Sequence, residues 1–364
     1  MSEQGFVPPP YPYEQLSEIV AIANRHEGGA VDLSVGTPCD QPPADVVAAL
    51  CAPDAARGYP PSIGTEAFRA AAAGWVARRL GALVDPATEL AACVGSKEFV
   101  ASTPQYLRLR DPSRDTVLYP AISYPTYAMG ATLAGCRAVA YHSLADVADE
   151  DCERALCVWV NSPGNPRGEL HDLRAAAEWG RTRDVPVLSD ECYAEFTWSG
   201  EAVSILAEGS HGVLAVHSLS KRDNFAGARI GFYAGDAELV GYLREVRKHA
   251  GLMAPGPVQA AAAVALGDDE HVERQRSRYL ARLVRLRELA IAAGYPVELP
   301  AGAFYLWVPA PGGDAWAAAR DLAERAGVVV SPGEFYGSDA TGWFRIAAVQ
   351  PADRIELAAS RLNR

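Results

Sequence analysis

Lys221 is the residue on which a chemistry can be built. It stands in Ser218-Leu219-Ser220-Lys221, directly after the apolar run Val213-Leu214-Ala215-Val216-His217. Arg229 follows, inside Gly227-Ala228-Arg229-Ile230-Gly231. A strand that ends in hydroxyls, an amine and a nearby guanidinium suits a phosphorylated aldehyde. The amine condenses with the carbonyl. The hydroxyls of Ser218 and Ser220 and the guanidinium of Arg229 take phosphate oxygens. Pyridoxal 5′-phosphate (PLP), whose ring accepts electrons from carbanions, is the cofactor such a set suggests. Taken alone, the lysine also reads as a strand-end residue on a polar loop.

Other segments extend the set. Asp190 follows Val187-Leu188-Ser189, within Ser189-Asp190-Glu191-Cys192-Tyr193. A carboxylate at a strand end can pair with a protonated pyridine nitrogen, and that charge makes the ring a strong electron acceptor. Tyr193 can donate to the ring's phenolate oxygen. An aspartate so placed also serves as a helix cap or turn residue. Gly95-Ser96-Lys97-Glu98 comes after Ala92-Cys93-Val94 and opens a helix. Backbone N–H groups at a helix N-terminus bind phosphate, and Ser96 also fits a plain N-cap. Arg345 lies in Trp343-Phe344-Arg345-Ile346-Ala347. An arginine inside an apolar strand is costly without an anion. A substrate α-carboxylate is one partner, and a buried acid of the chain is the other. The stretch Asn161-Ser162-Pro163-Gly164-Asn165-Pro166-Arg167-Gly168 reads first as a turn.

Ser-x-Ser-Lys followed by Gly-x-Arg-x-Gly resembles the lysine signature of the class I/II aminotransferases, the fold-type I PLP family. Further motifs stand in that family's order over residues 34 to 345. The resemblance implies that Asn165 meets the cofactor's phenolate oxygen. The family has Asn-Pro-Thr-Gly there, and Arg167 replaces the threonine. It implies that Ser96 and Lys97 surround the phosphate. It lays Tyr124, in Ser123-Tyr124-Pro125-Thr126-Tyr127, on the pyridine face; a core tyrosine at a helix entry is the plainer reading. Tyr59, in Gly58-Tyr59-Pro60-Pro61-Ser62-Ile63-Gly64, would cross a homodimer interface to the neighbour's phosphate. Gly36, in Ser34-Val35-Gly36-Thr37-Pro38, would bring its backbone to the substrate. Arg345 matches the family's carboxylate-binding arginine.

These residues need a scaffold. From about 65 to 250, helical stretches near 65–80, 97–109, 125–135 and 170–183 alternate with short apolar runs. The runs are Thr116-Val117-Leu118-Tyr119, Cys157-Val158-Trp159-Val160, Val185-Pro186-Val187-Leu188 and Val213 to Val216. That alternation predicts an α/β fold with a mainly parallel sheet covered by helices. The candidate residues fall past the C-terminal ends of the runs, where open sheets bind ligands. After Pro255-Gly256-Pro257 comes a helix over roughly 268–294 carrying Arg274, Arg276, Arg278, Arg282, Arg285 and Arg287. Glu270, Glu273 and Glu288 interleave, so a solvated face is expected rather than a basic binding face. A strand (304–308), a helix (314–326), two short strands (328–331 and 343–347) and a last helix follow, a small α+β set. The expected division is 1–45, an N-terminal arm with part of the small domain; 46–254, the large PLP-binding domain; and 255–364, the small C-terminal domain. The arm begins extended through Pro8-Pro9-Pro10.

At 364 residues the chain suits two domains. Its net charge of −12 argues against nucleic acid or an anionic membrane as partner. Its seven cysteines show no CxxC pair, as in buried free thiols of a reducing, cytoplasmic protein. No Cys/His cluster has zinc-like spacing, so no metal is expected. The start has no basic-then-apolar leader pattern, and no apolar stretch is long enough for a membrane span.

The finer resemblance is to actinobacterial-type N-succinyldiaminopimelate aminotransferases of lysine biosynthesis. It rests on Val31-Asp32-Leu33-Ser34-Val35-Gly36-Thr37-Pro38, Gly95-Ser96-Lys97-Glu98, His217-Ser218-Leu219-Ser220-Lys221-Arg222 and Arg247-Lys248-His249-Ala250-Gly251. It implies that glutamate aminates N-succinyl-2-amino-6-oxopimelate in a ping-pong cycle, with amino acid and 2-oxo acid as partners. Lys97, Arg167 and Arg222 are candidates for the substrate's further carboxylates. The alternatives are a general aspartate, aromatic or aliphatic aminotransferase, a PLP lyase on the same fold, and a PLP-binding regulator. The last would carry a basic DNA-binding segment, and none is visible.

Overall fold

The computed structural model describes residues 5–362. They divide into two compact units. The larger holds Thr37–Ala281 and Pro300–Tyr305; the smaller holds the described residues up to Gly36, Arg282–Leu299 and those from Leu306 onward. The first four residues of the expected arm lie outside the described residues. In chain order the strands are β1 (Val31–Asp32), β2 (Leu90–Cys93), β3 (Thr116–Pro120), β4 (Arg137–Tyr141), β5 (Ala155–Asn161), β6 (Val187–Asp190), β7 (Val213–Ser218), β8 (Gly231–Gly235), β9 (Tyr305–Pro309), β10 (Val328–Val329), β11 (Ser331–Pro332) and β12 (Trp343–Ala347).

Seven strands build the sheet of the larger unit, in the order β2-β8-β7-β6-β5-β3-β4. β4, β3, β5, β6 and β7 run parallel, and β8 is antiparallel to β7 and β2. The sheet is therefore mainly parallel. Every residue of β5, β6, β7 and β8 is buried. Val158, Val187, Val213 and Ala215 pack on one face with the helices Glu66–Leu80, Leu173–Arg183 and Gly256–Gly267. Trp159, Leu188, Leu214 and Val216 pack on the other, with the helices Ser96–Arg110, Thr126–Leu133 and Ala237–His249. Two-sided burial is why these strands read as unbroken apolar runs rather than alternating ones. β6 starts two residues later than its run does. Pro186 has no N–H to give a ladder, though its carbonyl accepts from the Val158 N–H at 3.0 Å.

In the smaller unit β1 pairs in parallel with β10, and a second sheet runs β11-β12-β9. Ser331 sits opposite Arg345 in that sheet. The helix Ala315–Ala326 packs on β10, on β12 and on the helices Ser17–Ala23 and Ala352–Leu362. The arginine-rich helix Glu270–Ala292 is largely a solvated, ion-paired face, as expected, although Arg282 is buried. Arg274 meets Glu270 at 3.2 Å, Arg276 meets Glu273 at 3.3 Å, and Arg285 meets Glu356 at 2.6 Å. The seven cysteines are free thiols, but Cys39 and Cys51 are exposed rather than buried. Among the described residues no helix is long and apolar enough to cross a membrane.

Candidate active site

One line of sheet register gathers the expected residues of the larger unit. Cys93 lies opposite Gly231, Gly231 opposite Ser218, Val216 opposite Asp190, and Asp190 opposite Asn161. The loop after β2, the turn before β8 and the ends of β5, β6 and β7 therefore share one edge. Strand alternation puts Asn161, Asp190 and Ser218 on the face that carries Trp159, Leu188 and Val216.

Ser218 closes β7 and caps the short helix Leu219–Arg222, its hydroxyl accepting the Ser220 N–H at 3.1 Å. That helix carries Lys221. The Lys221 ammonium lies 6.0 Å from the centre of the Phe304 ring, and its charge acts on Asp190 and Cys192. Asp190 is only 4% exposed. Its Oδ2 accepts the Tyr127 hydroxyl at 2.9 Å; its Oδ1 accepts the Cys192 N–H at 3.3 Å and the Cys192 thiol at 2.8 Å. Burial pushes the Asp190 carboxyl above the usual carboxylate range, while these donors and Lys221 pull it back.

Around this pair, Tyr193 is buried with its hydroxyl 2.7 Å from that of Tyr305 and its ring edge-on to Phe304. Asn165 is buried, and its N–H donates to Asn161 Oδ1 at 2.8 Å. Asn161 Nδ2 in turn donates to the Asp190 carbonyl at 2.8 Å. The half-buried Tyr124 ring meets Tyr127 edge-on at 5.9 Å. Ser96 opens the helix Ser96–Arg110, and Lys97 lies exposed in its first turn. Gly95, at φ 84° and ψ 150°, lies flat against the Arg229 guanidinium, and a Cβ there would stand 2.9 Å from Arg229 Cζ.

These residues fit a phosphorylated pyridine aldehyde. They supply an amine, a buried carboxylate that gains from a cation opposite it, and a side-chain-free cradle of helix N–H groups beside a guanidinium. The cradle is one that a Cβ would fill.

Tyr59 is 97% exposed. Gly36 and Arg345 belong to the smaller unit. Gly36 is buried there, and Arg345 is 2% exposed. Arg345 Nη2 donates to the Ser34 carbonyl at 2.6 Å and to the Tyr13 hydroxyl at 3.3 Å, with the guanidinium 4.9 Å over the Tyr336 ring.

Two cations expected at the distal end of a substrate are already engaged. Arg222 is a correction: it is 4% exposed, donating to Asp223 at 2.8 Å and lying 3.5 Å from Glu195, so it belongs to the interior. Arg167 pairs with Glu169 at 2.9 Å. Sequence reading passed over Tyr127, Cys192, Phe304 and Tyr305. Tyr127 lies one helical turn from Tyr124 and Cys192 stands beside Asp190, so both had a positional signal. Phe304 and Tyr305 arrive from a distant part of the chain and had none.

A family model for aminotransferase class I and II matches residues 29–362. The 4-dedimethylamino-4-oxo-anhydrotetracycline transaminase of Streptomyces rimosus is 44% identical, with 98% of this chain and 99% of that protein covered. A probable aminotransferase of Mycobacterium tuberculosis is 40% identical, covering 98% of this chain and 85% of that one. Among solved structures, a probable N-succinyldiaminopimelate aminotransferase from Thermus thermophilus superposes with a TM-score of 0.84 at 29% identity, over 96% of this chain and 98% of that one.

Proposed function

The chain belongs to the class I and II aminotransferases, which depend on pyridoxal 5′-phosphate, and from that premise we propose that it moves an amino group from glutamate to N-succinyl-2-amino-6-oxopimelate. The products are 2-oxoglutarate and N-succinyl-LL-diaminopimelate, formed in two half-reactions. When bound, the cofactor supplies an electron sink for the substrate's Cα electrons. Lys221 Nζ would anchor the aldehyde, and its amine would carry the proton away from the donor Cα and later onto the acceptor carbon. Asp190 holds positive charge on the ring nitrogen. Tyr193 and Asn165 would donate to the ring oxygen, and Tyr124 would cover the ring face. Ser96, Lys97, Ser218, Ser220 and Arg229 hold the phosphate. Arg345, with the Gly36 backbone nearby in sequence to Ser34, takes the α-carboxylate. The exposed Tyr59 completes the phosphate site of a second copy in a homodimer, an arrangement its 97% exposure supports.

The observation that carries the acid-substrate reading is Arg345. It is almost wholly buried in an apolar strand, with donors positioned by a carbonyl and a phenol. The succinylated acceptor is supported by the likeness to the Thermus protein. A second reading replaces the acceptor with a polycyclic aromatic ketone. Identity of 44% to the tetracycline-pathway transaminase favours it, as does the engagement of Arg222 and Arg167 by this chain's own acids. The test is a panel assay with glutamate as donor, measuring 2-oxoglutarate release. Turnover on the succinylated oxo acid above all others supports the first reading. Turnover confined to polycyclic ketones, or to short oxo acids, overturns it.

A further inference from the structure

We propose that Cys192 is a positioning residue whose thiol, hydrogen-bonded to Asp190, sets the plane of the carboxylate that faces the cofactor ring. The inference rests on the reading above that Asp190 meets the ring nitrogen.

An aspartate carboxylate has a broad terminal torsion, so a single donor leaves its plane free to swing. Tyr127 fixes Oδ2 from one side at 2.9 Å. At Oδ1 the backbone N–H of Cys192 is long, at 3.3 Å, whereas the thiol sulfur stands at 2.8 Å. Both Cys192 donors thus reach the same oxygen, and the sulfur lies in direct contact with it. An S–H group is a weak donor to neutral acceptors, but its acceptor here is a buried carboxylate, and charge strengthens the bond. Burial and the charge of Asp190 hold the proton on sulfur, so the group remains a donor.

A hydroxyl in the same place can donate to Oδ1; a methyl group cannot. That contrast separates donation from space-filling. The variants are Cys192→Ala, Cys192→Ser and Asp190→Asn, each measured three ways. One readout is the PLP dissociation constant of the cofactor-free protein. Another is the glutamate half-reaction, split into kcat and KM. The last is the infrared S–H stretch, isolated as the difference between wild type and Cys192→Ser. Cys192→Ala should weaken PLP binding by about tenfold, as for loss of one hydrogen bond to a charged group. It should lower kcat while leaving KM for glutamate unchanged, and Cys192→Ser should recover most of both. The S–H stretch of wild type should lie lower than in Asp190→Asn. Cys192→Ala behaving like wild type, Cys192→Ser as poor as Cys192→Ala, or an S–H stretch indifferent to Asp190→Asn would each overturn the proposal. If Asp190→Asn itself binds PLP and turns over normally, the reading of Asp190 fails instead. The infrared measurement does not use the alanine variant, so it decides even if that variant does not fold.

Discussion

Arg247 grips Glu98 through both of its terminal nitrogens, Nη1 at 3.0 Å from Oε1 and Nη2 at 2.5 Å from Oε2. Arg247 is 1% exposed and stacks over Phe99 and Tyr233 at 5.4 and 5.8 Å. Glu98 stands in the first turn of the helix Ser96–Arg110, whose N-terminus is the proposed phosphate cradle, and its Oε2 also accepts the Val94 N–H at 3.4 Å. The pair thus ties the cradle to the helix Ala237–His249. Breaking a buried pair from one side leaves a charge without a partner, at a cost of about 3–5 kcal/mol. Arg247→Met and Glu98→Gln should each lower urea stability by about 3 kcal/mol, the lower end, because Glu98 keeps some solvent. The double variant should lose less than the sum. Strict additivity would show the two groups to be independent.

Behind the site, Glu191 and His217 make a pH-dependent pair. Glu191 follows Asp190 and His217 precedes Ser218, and their Oε2 and Nε2 atoms stand 3.5 Å apart. Burial pushes the Glu191 carboxyl up to about 7 from 4.5 and the His217 imidazole down to about 3 from 6.5. Between pH 4.5 and 7 the native chain keeps a proton on Glu191 that the unfolded chain has lost, so this group makes stability fall as pH rises. Between pH 3 and 6.5 the unfolded chain binds a proton that native His217 refuses, so that group makes stability rise. Where the windows overlap the two slopes cancel. His217→Gln should expose the falling limb, by up to about 1.4 kcal/mol per pH unit. Glu191→Gln should expose the rising one. Urea midpoints across the overlap check both; variants whose profiles match wild type would dismiss the pairing.

Some of this arrangement was legible in the chain and some was not. Asp190, Ser218 and Lys221 could be placed because they end apolar runs, and buried parallel strands have continuous runs. β4 has no such run: it is an edge strand, largely exposed on alternate residues, and reads Arg-Ala-Val-Ala-Tyr. β8 is short and bracketed by Gly231 and Gly235, which disguise a fully buried strand. Arg222 looked available beside the lysine, yet acids on β6's following turn and on its own helix end claim it. Sequence spacing shows where a side chain starts; it does not show which distant group meets its tip.

Lys221→Ala removes the group assigned both to bond the aldehyde and to carry a proton. Transamination should fall by about a thousandfold or more. Added PLP should give no visible band characteristic of the lysine-bound cofactor, while binding through the phosphate residues persists. Ordinary turnover by this variant would end the assignment of Lys221.

Tyr13 and Arg345 form a testable carboxylate device within the smaller unit. Arg345→Gln should reduce kcat/KM for glutamate by about a hundredfold, the loss expected for charge-assisted hydrogen bonds. Tyr13→Phe removes only the phenol that Arg345 Nη2 reaches at 3.3 Å. It should raise KM several-fold with kcat unchanged, because it acts through the arginine's orientation. An amine donor without a carboxylate should be indifferent to both changes. Equal losses on both kinds of donor would mean that the two residues serve the fold rather than the carboxylate.

Gly95 offers the sharpest separation of binding from stability. Its φ of 84° and ψ of 150° fall where glycine alone sits comfortably, so Gly95→Ala carries about 1–3 kcal/mol of backbone strain. The added Cβ also meets the Arg229 guanidinium. That side chain is exposed and flexible, so it can swing aside at little cost to the fold. Swinging aside takes it out of the proposed phosphate cradle. Thermal stability should therefore drop only by the strain, whereas PLP affinity should drop by a further tenfold or so, the worth of one charge-assisted hydrogen bond. Arg229→Ala in the Gly95→Ala background should then add little to the loss of affinity, since the guanidinium has already left. Full additivity of the two changes, measured by PLP titration of the cofactor-free variants, would show that Arg229 does not depend on the bare α-carbon at position 95.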